Sequence, residues 1–156
     1  MDKNHIIIAI LVIVIVSLIA LLGVSFLTNN VEEIPIYNNT IEGVGMFNTT
    51  NVTNFTLDEE STNEKGTHYM ADGLPIAEIV VFSQTYLMEN TIDDAVRVND
   101  SPEGHTIYKN TATIGEHKGE VRYISFLTDN EKERHILINS ADYNLTCMMV
   151  DSFKMY

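Results

Sequence analysis

Residues 6–27 read IIIAILVIVIVSLIALLGVSFL, a run of 22 residues without a charged side chain. Seventeen of them are Ile, Leu, Val or Phe. As an α-helix rising about 1.5 Å per residue, the run is roughly 33 Å long, which matches a hydrocarbon core of about 30 Å. A helix also satisfies its own backbone hydrogen bonds, which lipid cannot do. The run therefore predicts a single transmembrane helix in contact with the lipid bilayer.

Two other structures compete with a transmembrane helix for this run. A buried core helix is seldom apolar on every face over such a length in a small protein. A cleaved signal peptide has a shorter apolar stretch, about 7–15 residues, followed by a small-x-small site. Gly23-Val24-Ser25 offers such a site, so cleavage is the open alternative to a permanent anchor.

The flanks of the run predict its orientation. Lys3 precedes it, whereas Glu32 and Glu33 follow it without a nearby Lys or Arg. Because positive charge is retained on the inner side of a membrane, we expect residues 1–5 to form a cytoplasmic tail. Residues 28–156 then lie outside, which makes the chain a single-pass protein of the cell membrane with its C-terminal part extracytoplasmic.

Charge and cysteine content exclude several classes of protein. The chain has 22 acidic and 9 basic residues, a formal net charge of −13. Nucleic acids and anionic headgroups need positive patches, so we expect no nucleic-acid partner. Cys147 stands alone, so no intrachain disulfide is possible, and we expect it to be a packed, unreactive thiol. Nothing in the sequence predicts a cofactor.

Residues 28–50 predict a stalk, because they are acidic and rich in Asn and Thr and show little hydrophobic periodicity. The stalk and the domain after it carry Asn-x-Ser/Thr sequons, the acceptor motif for N-glycans. We expect a glycoprotein only if the host has the enzymes for N-glycosylation. The candidate glycosylation sites are Asn38, Asn48, Asn51, Asn54, Asn99 and Asn144.

Residues 51–156 predict an extracytoplasmic α+β domain with an antiparallel sheet packed by helices. The nearly continuous apolar run from Ile76 to Gln84 is typical of a buried central strand. Short loops indicate that three later strands form an antiparallel meander. We predict strands at 53–57, 67–71, 76–84, 105–114, 121–127 and 135–138, a short helix at 91–98 and a terminal helix at 144–154.

The element order and the ending Met148-Met149-Val150-Asp151-Ser152-Phe153-Lys154 resemble the Mog1/PsbP-like family, including its PsbP-related domains on prokaryotic membranes. This resemblance covers roughly residues 51–156. It implies an α/β/α sandwich that acts as a binding or assembly module, and the family offers no catalytic residue to carry over. The long stalk and the short helix depart from the fuller family pattern.

No catalytic signature accompanies these elements. The G-x-S-x-G motif is absent from the sequence, and no two histidines lie two, three or four residues apart. His105 and His117 flank one predicted hairpin and would need Glu116 or Glu120 to complete a metal site. The Asp, Asn and Glu side chains at 93–94, 99–100 and 129–131 supply oxygen ligands but lack the spacing of a calcium loop.

We therefore predict no catalytic or metal residue. The predicted function is a binding or assembly module, which other membrane or surface proteins would contact. The alternative is an extracytoplasmic hydrolase with a carboxylate or metal site. Three or more acids and histidines converging in a pocket would favour that alternative.

Overall fold

A computed structural model describes residues 12–19, 34–73, 76–84, 94–111 and 119–156. The chain divides into two compact units, Met1–Ile34 and Pro35–Tyr156. In the first unit, residues 12–19 form helix α1 with exposed side chains. The predicted tail (residues 1–5) and the remainder of the predicted transmembrane helix (6–11 and 20–27) lie outside the described residues. Within the described ranges, neither helix is both long and apolar enough to traverse a bilayer.

The second unit has mixed α and β structure, which confirms the predicted α+β class. Its elements are β1 (Tyr37–Ile41), β2 (Gly45–Thr49), β3 (Val52–Leu57), β4 (Gly66–Gly73), β5 (Ala77–Phe82), β6 (Val96–Asp100), β7 (Thr106–Thr111), β8 (Val121–Asp129), β9 (Arg134–Ser140), α2 (Tyr143–Ser152) and β10 (Lys154–Met155).

The strands form two antiparallel sheets. The larger has seven strands in the order β3-β4-β5-β9-β8-β7-β6, and the smaller has the order β1-β2-β10. The predicted meander is confirmed, since β7, β8 and β9 are consecutive neighbours with Tyr108 opposite Ile124 and Ser125 opposite Ile138. β5 lies between β4 and β9, as expected for a buried central strand.

One face of the large sheet packs in the same core as α2. Ile79 and Ile138 lie opposite each other on β5 and β9, and both are fully buried, as is Met149 of the helix. The small sheet contributes Phe47, whose ring stacks on Phe153 with centroids 5.4 Å apart. This core fixes α2 against the sheet and so positions the side chains on the outer side of the helix.

The opposite face of the large sheet carries a second apolar cluster of buried Val80, Phe82, Ile124 and Leu137. Alternation along the strands sends neighbouring residues to opposite faces, so each central strand supplies both clusters. This explains why Ile76 to Gln84 lacks a clear polar face in the sequence.

The stalk predicted for residues 28–50 is wrong beyond Ile34, because β1 and β2 belong to the second compact unit. Two of the polar residues that suggested a stalk are hydrogen-bonded inside the fold. Asn39 Nδ2 donates to Thr49 Oγ1 at 2.8 Å, and Thr49 Oγ1 donates to the carbonyl oxygen of Val52 at 2.6 Å. Thr49 is completely buried, and these two bonds satisfy its hydroxyl group there.

The two predicted helices also differ from the structure. Residues 91–93 of the short helix lie outside the described ranges, and Val96–Asp100 is strand β6 at the sheet edge, so the helix is wrong there. The terminal helix begins after the cap Asp142, whose side chain accepts from the backbone N–H of Leu145, and it ends at Ser152. Phe153 is extended, which allows Lys154 to pair with Met46 on β2.

Candidate functional site

An open groove of about 660 Å³ runs between α2 and the segment that follows β6. Residues 100–103 form one side of it. The other side is the outer face of α2, and apolar atoms make up most of the surface of both sides. The helical lining residues are Tyr143, Asn144, Cys147, Met148, Asp151 and Ser152.

The spacing of these side chains along α2 places them on the face of the helix that lines the groove. They form pairs four residues apart, and residues at i, i+4 and i+8 share one face of an α-helix. Met148 and Ser152 are half-buried and line the groove. The fully buried face of α2 is centred on Leu145, Thr146 and Met149.

Ser101 ties the loop side of the groove to the helix. Its hydroxyl donates a hydrogen bond to Oδ1 of Asp151 and accepts one from the backbone N–H of His105 at 3.0 Å. The backbone N–H of Ser101 donates to the carbonyl oxygen of His105 at 2.7 Å. Gly104 closes this tight loop with φ +91°, a conformation that favours glycine.

Tyr143 stands at the start of the helix and makes a second link across the groove. Its hydroxyl donates to the carbonyl oxygen of Asp100 at 3.2 Å, and its ring packs edge-on against Tyr123. Hydrogen bonding to Cys147 and desolvation raise the pKa of the Tyr143 phenol, and the Asp100 and Asp151 carboxylates add to this. The phenol is therefore a neutral donor at physiological pH.

Cys147 lies beneath the groove and is only 5% exposed, so the predicted packed thiol is confirmed. Burial raises the pKa of this thiol, and the nearby carboxylates of Asp151 and Asp142 raise it further. The thiolate is the reactive form of cysteine, so a raised pKa makes the side chain a poor nucleophile. Cys147 is therefore a packed side chain of low nucleophilicity.

The electrostatic character of the groove is acidic. Three carboxylates line it, those of Asp100, Glu103 and Asp151, and none of the described lining residues is Lys or Arg. Arg97 lies just outside on β6 and donates to both carboxylate oxygens of Asp100, at 2.8 and 2.9 Å. This hydrogen bonding lowers the pKa of Asp100, which keeps it ionised.

The metal sites considered from sequence find no support among the described residues, where no three His, Cys, Asp or Glu side chains are placed to hold an ion. His117, Glu116 and Asp93 lie outside those residues. Glu120 is exposed and accepts from Arg122 at 3.1 Å. Asp129 caps a turn by accepting from the backbone N–H of Glu131 at 3.0 Å, so its carboxylate has a structural role.

A separate polar cluster lies on the second face of the large sheet. His68 Nδ1 and Glu78 Oε1 are 2.5 Å apart, and Asn139 Nδ2 donates to the other Glu78 oxygen at 2.7 Å. Both oxygens of this half-buried carboxylate are thereby satisfied. The cluster joins β4, β5 and β9 and stabilises the sheet.

The structure places five of the six sequon asparagines at the surface, namely Asn38, Asn51, Asn54, Asn99 and Asn144. Asn48 is half-buried and lies opposite Asn38 in the β1–β2 pair. Asn99 precedes the groove residue Asp100, and Asn144 lines the groove itself. Any glycan on Asn99 or Asn144 would therefore stand at the mouth of the groove.

Sequence reasoning missed the groove, because its two sides are distant in the chain and meet only through β6, β7 and α2. The turn residues at 99–104 and the spacing along the terminal helix were the available signals. Comparison with protein-family models, curated proteins and solved structures finds no match to this chain.

Proposed function

We propose that the chain is a single-pass membrane protein whose α+β unit, held outside the cytoplasm, binds a partner through the groove along α2. The observation that carries this proposal is a fixed concave surface with an apolar lining and a charged rim. Sites of this kind, with a few placed polar groups in an apolar cleft, are the usual binding sites of proteins. The Ser101–Asp151 bond holds its two sides together, so the groove is preformed.

The anchor in this proposal is the apolar run at residues 6–27, whose length and composition suit a bilayer. The compact second unit begins at Pro35, so the spacer is residues 28–34. Fully extended, this spacer spans at most about 25 Å. A tether of this length would keep the unit at the membrane that holds the anchor, so other membrane or surface proteins are the expected partners.

The Mog1/PsbP-like resemblance stays a prediction, as does the α/β/α sandwich that it implies. A sandwich of that type requires helices on both faces of the sheet. Among the described residues, α2 packs against one face of the sheet, and the second face carries the apolar cluster around Leu137. The binding or assembly role implied by the resemblance agrees with the proposal made from the groove.

The alternative of a hydrolase gains no supporting observation from the described groove. Asp100 is paired with Arg97, and Asp151 accepts from Ser101, so both carboxylates are held in structural bonds. The neutral Cys147 is a poor nucleophile. We therefore favour binding over catalysis.

Impermeant maleimide labelling tests the proposed topology. Cys147→Ala removes the native thiol, and Glu131→Cys then places one thiol on an exposed turn. The control has Lys3→Cys in the same background. We expect position 131 to react on intact cells and position 3 only after lysis. Labelling of position 131 only after lysis would refute the extracytoplasmic assignment.

A photoreactive side chain tests the groove as the binding surface. It is introduced in the full chain at Met148, in the groove, or at Glu131, which lies on the turn between β8 and β9 and is not a lining residue of the groove. In native membranes we expect a discrete higher-mass adduct from position 148 that position 131 does not give. The same adduct from both positions, or none from position 148, would contradict binding through the groove.

A further inference from the structure

We infer that the groove along α2 takes an extended, cationic and partly apolar peptide segment of a partner protein. The inference rests on the proposed function and adds the chemistry of the occupant. It follows from three properties of the groove: its charge, its apolar lining and its shape.

The charge of the groove favours a cation. The carboxylates of Glu103 and Asp151 line it, without a Lys or Arg among the described lining residues. Asp100 adds a third carboxylate, whose charge is largely offset by its ion pair with Arg97 just outside the groove. Glu103 and Asp151 therefore give the groove a negative potential. An approaching carboxylate or phosphate would be repelled by this potential, whereas an ammonium or guanidinium group would be attracted.

The net charge of the whole chain is −13, so acidity alone does not single out this surface. The groove is distinguished by combining its carboxylates with concave apolar surface from Pro102, Met148 and the ring of Tyr143. Lys and Arg side chains match such a surface, because their aliphatic stems pack on apolar groups while their charged ends reach carboxylates. The Tyr143 ring offers a further contact to a cation.

The shape of the groove favours a peptide over a small molecule. Its helical side extends from Tyr143 to Ser152, the whole length of α2. A helix of this length measures about 15 Å, which an extended peptide covers with four or five residues. The groove is also open along its side, whereas small-molecule sites enclose about 70–90% of their ligand.

The probe is a fluorescein-labelled pentapeptide, Leu-Lys-Leu-Lys-Leu, added to the full chain in phosphatidylcholine nanodiscs. Fluorescence anisotropy gives the dissociation constant (Kd). Matching peptides with Glu or Ser in place of Lys report the charge preference. We expect the Lys peptide to bind most tightly and its affinity to fall as salt is added, because exposed charges are screened.

Paired variants separate the groove from general electrostatic attraction. The groove variant carries Glu103→Gln and Asp151→Asn, and the asparagine keeps an acceptor for Ser101. The control variant carries Glu59→Gln and Glu60→Gln, which remove the same charge from an exposed turn outside the groove. We expect the groove variant to raise Kd about fivefold or more and the control variant less than about twofold. Unchanged circular dichroism confirms that both variants are folded.

Each other outcome overturns the inference in an identifiable way. Equal weakening by the two variants would mean that the peptide is attracted to the acidic surface as a whole. Groove-dependent binding of the Glu or Ser peptide would refute the cationic occupant and leave the groove as a binding surface. Absence of binding by the Lys peptide up to millimolar concentration would refute a cationic peptide as the occupant of the groove. The cross-linking experiment at position 148 would still test the proposed function independently.

Discussion

The hydroxyl of Ser101 donates a hydrogen bond to the carboxylate of Asp151, joining a loop to a helix 50 residues later in the chain. Ser101 is 5% exposed and Asp151 is half-buried, so the bond is partly shielded from water. A hydrogen bond to a charged acceptor contributes more to stability than one between neutral groups. The pair therefore keeps the two sides of the groove at a fixed separation.

Ser101→Ala should loosen the groove and lower the free energy of unfolding by about 1–3 kcal/mol, because the Asp151 carboxylate loses its donor. Denaturant unfolding followed by circular dichroism measures this change. Ser83→Ala is the matched control, since Ser83 is exposed, and it should shift the midpoint very little. Equal effects of the two substitutions would show that the Ser101 bond does not stabilise the fold.

Asp142→Ala should destabilise α2 by about 1 kcal/mol, the usual effect of losing an N-cap. The Asp142 side chain accepts from the backbone N–H of Leu145 at 2.8 Å, and alanine cannot do so. Asp142→Asn retains the acceptor and should recover most of the stability. Thermal unfolding compares the three proteins, and an alanine variant as stable as the native chain would refute the capping role.

Gly45→Ala should weaken the small sheet. A Cβ atom at Gly45 would lie 2.6 Å from the carbonyl oxygen of Lys154 and 2.6 Å from the Phe153 ring. Relieving such a clash forces backbone or ring movement, which costs about 1–3 kcal/mol. The neighbouring Met46→Ala, at a side chain 40% exposed, is the control. Chemical denaturation measures the free energy of unfolding of both variants. A larger loss for Met46→Ala than for Gly45→Ala would contradict this packing.

The Cys147 thiol should react slowly with iodoacetamide in the folded chain and faster after unfolding. Its raised pKa means that the folded state holds the proton more tightly than the unfolded state. The resulting stabilisation is complete below the ordinary pKa of 9.0 and is lost as pH rises through the higher folded value. The pH dependence of alkylation, measured by mass spectrometry, should therefore give a midpoint above 9.0 for the folded chain. A midpoint below 9.0 would refute the burial argument.

The apolar run at 76–84 and the short loops between the later strands predicted the centre of the large sheet correctly, because β5, β8 and β9 carry regular apolar residues. Composition misled the prediction for residues 35–49, where Asn and Thr suggested an unpacked stalk. Asn39 and Thr49 are buried in the fold through mutual and backbone hydrogen bonds, which composition does not reveal.

The helix predicted at 91–98 includes part of the edge strand β6. All five residues of β6 are exposed, so no alternation of buried side chains marks it as a strand. Its identity depends on pairing with β7, a tertiary contact. The groove was unpredictable for the same reason. Asp100 and Asp151 share a surface only after β7, β8, β9 and α2 are in place.

Amide hydrogen exchange on the full chain in phosphatidylcholine nanodiscs tests the binding groove most directly. Exchange is compared with and without the Leu-Lys-Leu-Lys-Leu peptide. We predict that the peptide slows exchange in residues 100–105 and 143–152 and leaves the turns at 58–62 and 129–134 unchanged. Slowing of equal size at those acidic turns, or none along α2, would contradict the groove as the binding surface.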